Sequence, residues 1–446
     1  MIMSQLFQSL ALKYLPVSYL RRQIAKITTE TSSSITIDRQ LLIDVSVISK
    51  ADAGTGIQRV VRNLYQELLA APPAGYRICP VAATRKQGYC YLPTDFLRQP
   101  TEKPVSLPAA PVQIHAGDLF LGLDLAAHIV PYRLGELLQW KRQGVRMCFF
   151  VYDLLPVLEP AWFNPKTTKN FRRWLRAMAI LADEAIAISR TVQIDFAAWM
   201  QNVHGLNECD LPCATLQLGA ELNATHGNQP TTGQTIHFPP QWDEHKLILM
   251  VGTLEPRKGH ADILDAFEQL WATNNPTNLV IAGKQGWKVE TFIHRLQIHP
   301  ETGKRLHWLN SPNDEVLLAL YQNCSGLIMA SKGEGFGLPL IEAAYFNKPM
   351  LVRDIPIFRE IAGDNASYFP ATGHNGLMQS LLQWLMKLET KDLIPVIHPT
   401  WITWQESCAQ LVRTLLPPKL DIPNHEHMPT QTLDQAFPAQ HTAHIK

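Results

Sequence analysis

The sequence of 446 residues lacks the features that mark several special classes of protein. Its seven cysteines are odd in number and have no paired CxxC spacing, which argues against a disulfide framework or a zinc site. No apolar run approaches the ~20 residues that are needed to cross a bilayer. The formal net charge is +1, so attraction of the whole molecule to nucleic acid is not expected. Any anion must therefore be bound by positive groups that are placed locally.

The N-terminal segment also lacks the pattern of a signal peptide, because Lys13 interrupts its apolar stretch and no charged region precedes it. It is consistent with an amphipathic helix that carries cations on or near one side: Lys13, Arg21, Arg22 and Lys26. Such a helix either packs on the adjacent domain, which we favour, or contacts a membrane as a peripheral element. Unpaired cysteines indicate the cytoplasm, and the second alternative would place the protein at the cytoplasmic face of the inner membrane.

Short apolar strands alternate with amphipathic helices along most of the chain, which predicts α/β architecture with parallel sheets. In the first half, strands are predicted at 41–47, 119–123, 145–151 and 184–188, and a helix at 57–70. In the second half, strands are predicted at 246–251, 278–282, 305–309, 326–330 and 348–352. Helices are predicted there at 259–271, 312–322, 338–346 and 401–415. The repeated pattern predicts two Rossmann-like domains.

Between the two halves the sequence is rich in Pro, Thr, Asn, Gln and Gly and has no periodicity, which predicts a linker. The C-terminal end is polar and contains four histidines that could bind metal, although a solvated tail is the preferred prediction. The predicted organisation is a helical extension at 1–35, domains at 36–220 and 245–395 joined by a linker at 221–244, a helix at 396–416 and a tail at 417–446. Ligands of such sheets bind at the carboxyl ends of strands, so the informative motifs should follow strands.

The first motif is the turn GTLEPRKG, which follows the predicted strand 246–251. It places Arg257 and Lys258 side by side at the start of a helix, where the helix dipole already favours anions. A bound diphosphate would accept from both cations and from backbone N–H groups. The alternative is a basic turn whose side chains point to water, and the turn alone leaves both interpretations open.

The second motif is GEGFGLPLIEAA, which follows the predicted strand 326–330. Its glycines let the backbone approach a ligand and donate to phosphate or sugar oxygens. Glu334 lies in the loop and can accept from sugar hydroxyls, whereas Glu342 lies eight residues later in the helix and can accept from a vicinal diol such as ribose. An acid in a first helical turn is also stabilising without a ligand, which is the alternative for Glu342.

The segment EGFGLPLIE resembles the E-x7-E motif of the retaining glycosyltransferases of family 4, which have the GT-B fold of two Rossmann-like domains facing each other across a cleft. GTLEPRKG, AGKQGW and IFREIAGD extend the resemblance in the same half. In the other half, DVSVISKADAGTGIQRVVRNLY and VYDLLPVLEPAWF are similar to segments of bacterial polysaccharide mannosyl- and rhamnosyltransferases. The resemblance covers most of residues 40–415. We expect the C-terminal helix to return toward the N-terminal, acceptor-binding domain.

The resemblance also implies roles for individual residues of the C-terminal, donor-binding domain. Arg257 and Lys258 would neutralise the donor diphosphate, Glu334 and nearby amides would hold the transferred sugar, and Glu342 would bind the ribose. The amides are those around Phe336 and Gly337, and the other expected contacts are Gly252, Thr253, Gly283, Lys284, Gly335 and Leu338. Many relatives have an arginine at the position of Thr253, so the second positive charge is assigned to Arg257.

In the first half, Gly54 and Gly56 lie in the turn DAGTGI between the first strand and its helix. The resemblance implies close approach of this backbone to a phosphate or acceptor, and the alternative is an ordinary tight turn. Gln58 and Arg59, at the start of the helix, could help to bind phosphate, whereas Arg62 is expected to face solvent.

Asp153 follows the predicted strand 145–151 and is a candidate to orient the acceptor hydroxyl, unless it only caps the following turn. Many relatives have histidine where this chain has Tyr152, so no histidine contact to the acceptor is expected here. Ser189 and Arg190 begin a helix after the predicted strand 184–188, and they either contact substrate or cap that helix.

The resemblance implies a hexosyltransferase that moves a hexose, with mannose favoured and GDP-mannose the first choice of donor, to a hydroxyl of a growing glycan or lipid-linked glycan. The implied process is synthesis of a bacterial surface polysaccharide such as lipopolysaccharide. No D-x-D pair is present, so no metal or other cofactor is expected, and cations with helix N-termini would stabilise the departing diphosphate. The alternatives are a GT-B epimerase or hydrolase and a non-catalytic nucleotide-sugar-binding protein. No G-x-G-x-x-G fingerprint supports a dinucleotide oxidoreductase.

Overall fold

The computed structural model describes most of the chain. The described residues are 14–27, 39–52, 54–98, 110–221, 242, 245–371, 374–390, 392 and 401–416. The predicted tail with its histidines, Lys13, and nearly all of the predicted linker lie outside these residues. The domain boundaries stay predictions.

The first half of the chain forms a sheet of seven strands in the order β3-β2-β1-β4-β5-β6-β7. Its strands are β1 (Arg39–Asp44), β2 (Tyr76–Ala82), β3 (Cys90–Tyr91), β4 (Leu119–Gly122), β5 (Arg146–Val151), β6 (Glu184–Ala187) and β7 (Cys213–Thr215). Neighbours are parallel except β2 and β3. The helices are α1 (Val17–Ile27), α2 (Gly56–Ala70), α3 (Leu134–Arg142), α4 (Leu155–Leu158), α5 (Pro165–Leu181) and α6 (Arg190–Trp199). Strands this buried fit a sheet that helices cover on both faces.

The second half forms a parallel sheet of six strands in the order β10-β9-β8-β11-β12-β13. Its strands are β8 (Leu247–Val251), β9 (Asn278–Ala282), β10 (Leu306–Leu309), β11 (Gly326–Met329), β12 (Met350–Arg353) and β13 (Ala366–Phe369). The helices are α7 (His260–Ala272), α8 (Glu290–Ile298), α9 (Asp314–Asn323), α10 (Leu338–Tyr345), α11 (Pro356–Ala362) and α12 (His374–Thr390). This order reverses between β8 and β11, which is where doubly wound sheets bind ligands. The two predicted donor motifs follow these two strands.

The last helix, α13 (Trp404–Leu415), leaves the second domain and packs on the first. Trp404 and Leu411 are buried in the same apolar core as β1 to β7. The Ser407 hydroxyl donates to the Gln217 carbonyl oxygen at 2.6 Å. A Cβ atom on Gly219 would lie 2.6 Å from the Trp404 backbone nitrogen, so only glycine lets the two segments approach this closely. The expected return of the C-terminal helix is confirmed.

The first strand ends earlier than predicted, because carboxylate side chains take the place of a neighbouring strand as hydrogen-bond acceptors for the backbone that follows. The Asp44 carboxylate accepts from the Ser46 backbone N–H at 2.9 Å. Asp124 accepts from the N–H groups of Val47 and Ile48 at 2.7 and 2.8 Å. These contacts turn the chain away from the sheet before residue 47, where the strand was predicted to end. The sequence prediction also contained no strand at β2, whose Pro80 is a residue that argues against a strand.

The amphipathic helix α1 packs on the N-terminal domain through Val17, Leu20 and Ile24, which are buried. The Arg21 guanidinium is directed inward and donates to the carbonyl oxygens of Ala179 and Ala182, at the end of α5, at 3.0 and 2.8 Å. The packing alternative is therefore confirmed for the described part of this helix. In the part of the chain that the structure describes, no helix combines the length and apolarity needed to cross a membrane.

Candidate functional site

The loop after β11 lies against the loop after β5, so the carboxyl ends of the two sheets face each other. A Cβ atom on Gly335 would lie 1.9 Å from the Tyr152 carbonyl oxygen, which is possible only for glycine. Phe336 is buried and belongs to the apolar core of the first domain, and Leu338 packs against the same core. Gly337 has a φ of +101° and begins α10, a backbone conformation that favours glycine. The second-domain loop is thus built to contact the first domain.

Arg257 and Lys258 converge on Glu334 in this loop. The Arg257 Nη1 atom lies 3.0 Å from Glu334 Oε2 and donates to the Gly333 carbonyl oxygen at 2.9 Å. Lys258 Nζ is paired with Glu334 Oε1, which also accepts from the Ser331 hydroxyl at 2.7 Å. The side chains of Arg257, Lys258 and Glu334 are 13, 14 and 8% exposed, so the alternative of a solvated basic turn is wrong. No pattern in the sequence singled out Ser331.

The charged groups of this cluster shift one another's pKa values. Burial opposes ionisation of Glu334, but attraction to Lys258 and Arg257 outweighs burial and lowers its pKa to about 2. Burial would lower the pKa of Arg257, yet the neighbouring carboxylates, Glu334 first, raise it. Burial raises the pKa of Asp153, partly offset by Arg257. Burial likewise raises the pKa of Glu255, whose Oε2 lies 2.9 Å from Arg257 Nε. At neutral pH the cluster holds an ionised Glu334 between two cations.

The remaining predicted donor contacts of the second domain lie beside the phosphate turn. A Cβ atom on Gly283 would lie 1.9 Å from the Gly252 carbonyl oxygen, so the loops after β8 and β9 touch through their glycines. The Leu254 N–H donates to the Lys284 carbonyl oxygen at 2.9 Å. Thr253 lies between these contacts. The structure therefore brings Gly252, Thr253, Gly283 and Lys284 together, whereas their role in binding stays a prediction.

Glu342 has protein partners on both carboxylate oxygens. Arg59 Nη1, from the first domain, pairs with Oε1, and the Tyr321 hydroxyl donates to Oε2 at 2.7 Å. The Glu342 side chain is 3% exposed. This pairing was not predicted, because Arg59 was assigned to phosphate and Tyr321 was not singled out. Arg62 is also paired, with Asp52, so the expectation that it faces solvent is wrong.

Asp153 and Ser189 make the capping contacts that were their alternative interpretations. Asp153 Oδ1 accepts from the Leu155 N–H at 3.1 Å. Ser189 Oγ accepts from the Val192 N–H at 3.1 Å, which caps α6. The Ser189 hydroxyl also donates to the Gly335 carbonyl oxygen at 2.8 Å and so joins the two domains. Asp153 nevertheless lies close enough to Arg257 for their charges to interact.

The glycine turn of the first domain is more open. Gly54 has a φ of +62°, and a Cβ atom there would meet no heavy atom within 4 Å. Its N–H donates to Asp52 Oδ1 at 3.0 Å. A capping box between Thr55 and Gln58 starts α2. A Cβ atom on Gly56 would lie 3.5 Å from Leu338 Cδ1, so this turn borders the cleft. The local contacts are those of a tight turn, and its role in binding stays a prediction.

Comparison with known proteins agrees with this arrangement. Residues 234–391 match the sequence profile described as "Glycosyl transferases group 1". The serotype-specific mannosyltransferase WbdA of Escherichia coli is 37% identical in an alignment of 392 residues, which covers 84% of this chain and 46% of that protein. The O-antigen chain mannosyltransferase B of E. coli is 32% identical over 120 residues, which are 26% of this chain and 30% of that protein. The chain thus spans about half the length of WbdA.

The solved structures agree on the architecture. The crystal structure of Anabaena Alr3699/HepE in complex with UDP and glucose matches with a TM-score of 0.56 and 14% sequence identity. The match covers 85% of this chain and 99% of that chain, and it shows the GT-B fold. Residues 234–391 are similar to the group 1 glycosyltransferases, the described part of the chain has the GT-B fold, and the chain resembles the retaining family 4 enzymes of bacterial polysaccharide synthesis.

Proposed function

We propose that this chain is a retaining glycosyltransferase that moves a hexose, with mannose favoured, from a nucleotide-diphosphate sugar to a hydroxyl of a growing glycan. The observation that carries the proposal is the convergence of Arg257 and Lys258 on Glu334 at the cleft. The names of the relatives, a serotype-specific and an O-antigen mannosyltransferase, support mannose and a role in bacterial surface polysaccharide synthesis. The acceptor is a glycan or lipid-linked glycan, which the enzyme meets in the cytoplasm or at the cytoplasmic face of the membrane.

In the proposed complex the donor diphosphate lies against Arg257 and Lys258, which leave Glu334 in part and take phosphate oxygens instead. Glu334 then accepts hydrogen bonds from the sugar hydroxyls, and the amides around Phe336 and Gly337 donate hydrogen bonds to the sugar. Glu342 binds the ribose, and Gly283 with Lys284 border the nucleobase. While it is paired with the two cations, Glu334 has a pKa of about 2, so it enters the complex ionised and serves as a hydrogen-bond acceptor.

The chemical step follows from this placement of charge. As the glycosidic bond breaks, negative charge grows on the β-phosphate, and buried cations stabilise it more strongly than water would. The acceptor hydroxyl attacks from the side of the leaving group, which retains the anomeric configuration. The departing phosphate can accept the hydroxyl proton, and Asp153 would orient the acceptor. Contact between the domains excludes water and limits hydrolysis of the donor.

The test is transfer of labelled sugar by Lys258→Ala and Glu334→Ala, with Lys304→Ala as the matched control. Lys304 is exposed and precedes β10, so it lies at the amino end of the sheet, away from the cleft. We expect kcat to fall by about 10²–10³-fold in Lys258→Ala, as for the loss of one charge-stabilising donor. Activity should also fall in Glu334→Ala, because the sugar loses an acceptor and both cations lose their partner. The control should keep wild-type activity. Undiminished transfer by both site variants would contradict the proposal.

The donor can be identified independently by thermal unfolding in the presence of GDP-mannose and of UDP- and dTDP-linked sugars. A ligand that binds only the folded state raises the melting temperature in proportion to its binding free energy. We expect GDP-mannose to give the largest rise in wild type and a smaller rise in Lys258→Ala. Release of free sugar or of an epimer, without a new glycoside, would instead favour a hydrolase or epimerase.

A further inference from the structure

Several polar contacts hold the two domains together around the cleft. Glu360, in α11, accepts from the N–H groups of Arg190 and Thr191 at the start of α6, at 2.6 and 2.8 Å. The Trp287 indole N–H donates to the Trp162 carbonyl oxygen at 2.9 Å. The ion pair between α2 and α10, described above, differs from these contacts. It engages a carboxylate that the proposed donor complex also needs.

The contacts of Glu342 leave little room for a further partner. Arg59 holds one carboxylate oxygen and Tyr321 holds the other. The side chains of Arg59 and Glu342 are 18 and 3% exposed. The negative charge of Glu342 is the largest influence on Arg59 and raises its pKa. Removal of one partner from a buried pair leaves an uncompensated charge, so the pair is open in only a small fraction of molecules until another partner is supplied.

A ribose diol would need the same carboxylate. Two hydroxyl groups cannot reach a side chain that is 3% exposed unless the guanidinium that covers it moves. Arg59 belongs to the first domain and Glu342 to the second, so separation of the domains would withdraw the guanidinium. The ribose would then supply the hydrogen bonds that the carboxylate loses.

We propose that Arg59 and the nucleoside ribose are alternative partners of Glu342, so that the Arg59–Glu342 pair holds the cleft shut until a nucleotide displaces it. This inference rests on the proposed function, because it requires a nucleotide donor. Nucleotide binds only to molecules in which the pair is open. The apparent affinity is therefore the intrinsic affinity multiplied by the fraction of such molecules. Arg59 is therefore a positioning residue that regulates access to the donor site.

The experiment measures binding of GDP, UDP and dTDP to the full chain by titration calorimetry. Arg59→Met removes the competing charge, and we expect it to bind its nucleotide about 5- to 10-fold more tightly than wild type. Arg59→Lys, which keeps the charge but loses the guanidinium fork, should show an intermediate gain. It also serves as the test variant if Arg59→Met folds poorly.

Two matched variants separate competition from loosening of the domains. Glu360→Gln weakens another interdomain contact without touching Glu342, so its affinity should change less than about twofold. In a Glu342→Gln background, Arg59→Met should give no gain, because the contested carboxylate is gone. An equal gain from Glu360→Gln, or a gain that persists without Glu342, would overturn the inference.

Arg59→Met binding that equals or is weaker than wild type also overturns the inference. That outcome would leave the proposed function standing, because nucleotide would still bind. Failure of wild type and all variants to bind any nucleotide would instead reject the proposed function, and this inference with it.

Discussion

The loop after β11 and the loop after β1 are both glycine-rich connections from a strand to a helix, yet their glycines meet different surroundings. A Cβ atom on Gly335 would collide with the Tyr152 carbonyl oxygen, whereas one on Gly54 would meet open space. The first loop is closely packed against the opposite domain and surrounds a buried cluster of charges. The second is held by its own turn and helix-capping contacts. The comparison separates a loop fixed by tertiary contact from one fixed by local chemistry.

The buried carboxylates beside the two loops differ in the charge of their partners. Glu334 is next to two cations, which hold its pKa at about 2 despite burial. Asp124, which holds the loop after β1, accepts from backbone N–H groups. Burial is the largest influence there and, with the nearby Asp44, raises the pKa of Asp124 to about 7. Burial raises the pKa of both carboxylates, and only the cations beside Glu334 are strong enough to reverse that direction.

Of the changes that test this comparison, Gly335→Ala should have the largest effect on transfer activity. The added methyl group must displace the Tyr152 backbone by more than an ångström, and a displacement of about 1 Å at the reacting groups costs about 10²-fold in rate. We expect kcat/KM for transfer to fall by at least about 100-fold. Gly135→Ala, in α3, is the control, because a Cβ atom there meets no heavy atom within 4 Å. Wild-type kinetics in Gly335→Ala would show that the loops need not be in contact during turnover.

The two carboxylates should give opposite dependences of stability on pH. The pKa of Glu334 is lower in the folded state, so its contribution is complete above its ordinary pKa of about 4.3 and is lost as pH falls toward 2. The pKa of Asp124 is higher in the folded state, so stability is lost as pH rises from about 4 to 7. We would measure the free energy of unfolding against pH for wild type, Glu334→Gln and Asp124→Asn. Glu334→Gln should remove the pH dependence between about 2 and 4.3, and Asp124→Asn should remove it between about 4 and 7. A change in the same window for both would contradict the assignment.

Gly54→Ala should have the smallest effect. The substitution strains a residue with a φ of +62° by about 1–2 kcal/mol but creates no clash. We expect a small drop in the free energy of unfolding and a rise of only a few-fold in KM, measured from steady-state transfer. A loss of activity as large as that of Gly335→Ala would mean that this turn makes ligand contacts that its surroundings do not reveal.

Local patterns in the sequence were sufficient for much of the fold. The strand predicted at 278–282 coincides with β9, and the glycine loop and the phosphate turn were placed after the correct strands. The prediction was wrong where a local signal was overruled. Pro80 argues against a strand, yet β2 pairs along its length with β1 because its carbonyl groups and apolar side chains still fit the sheet. β1 ends earlier than its apolar residues indicate, because the Asp44 and Asp124 carboxylates accept from the backbone N–H groups of residues 46–48.

By itself the sequence determined two parallel sheets, the motifs at their carboxyl ends and the adjacent cations of the phosphate turn. These follow from hydrophobic periodicity, glycine positions and charges within a few residues of one another. The tertiary structure decided which charges meet: Glu334 with Arg257 and Lys258, and Glu342 with Arg59, which is 283 residues away in the chain. The first pairing depends on how the strands of the second domain are arranged, and the second depends on how the two domains approach each other. No local pattern encodes either geometry.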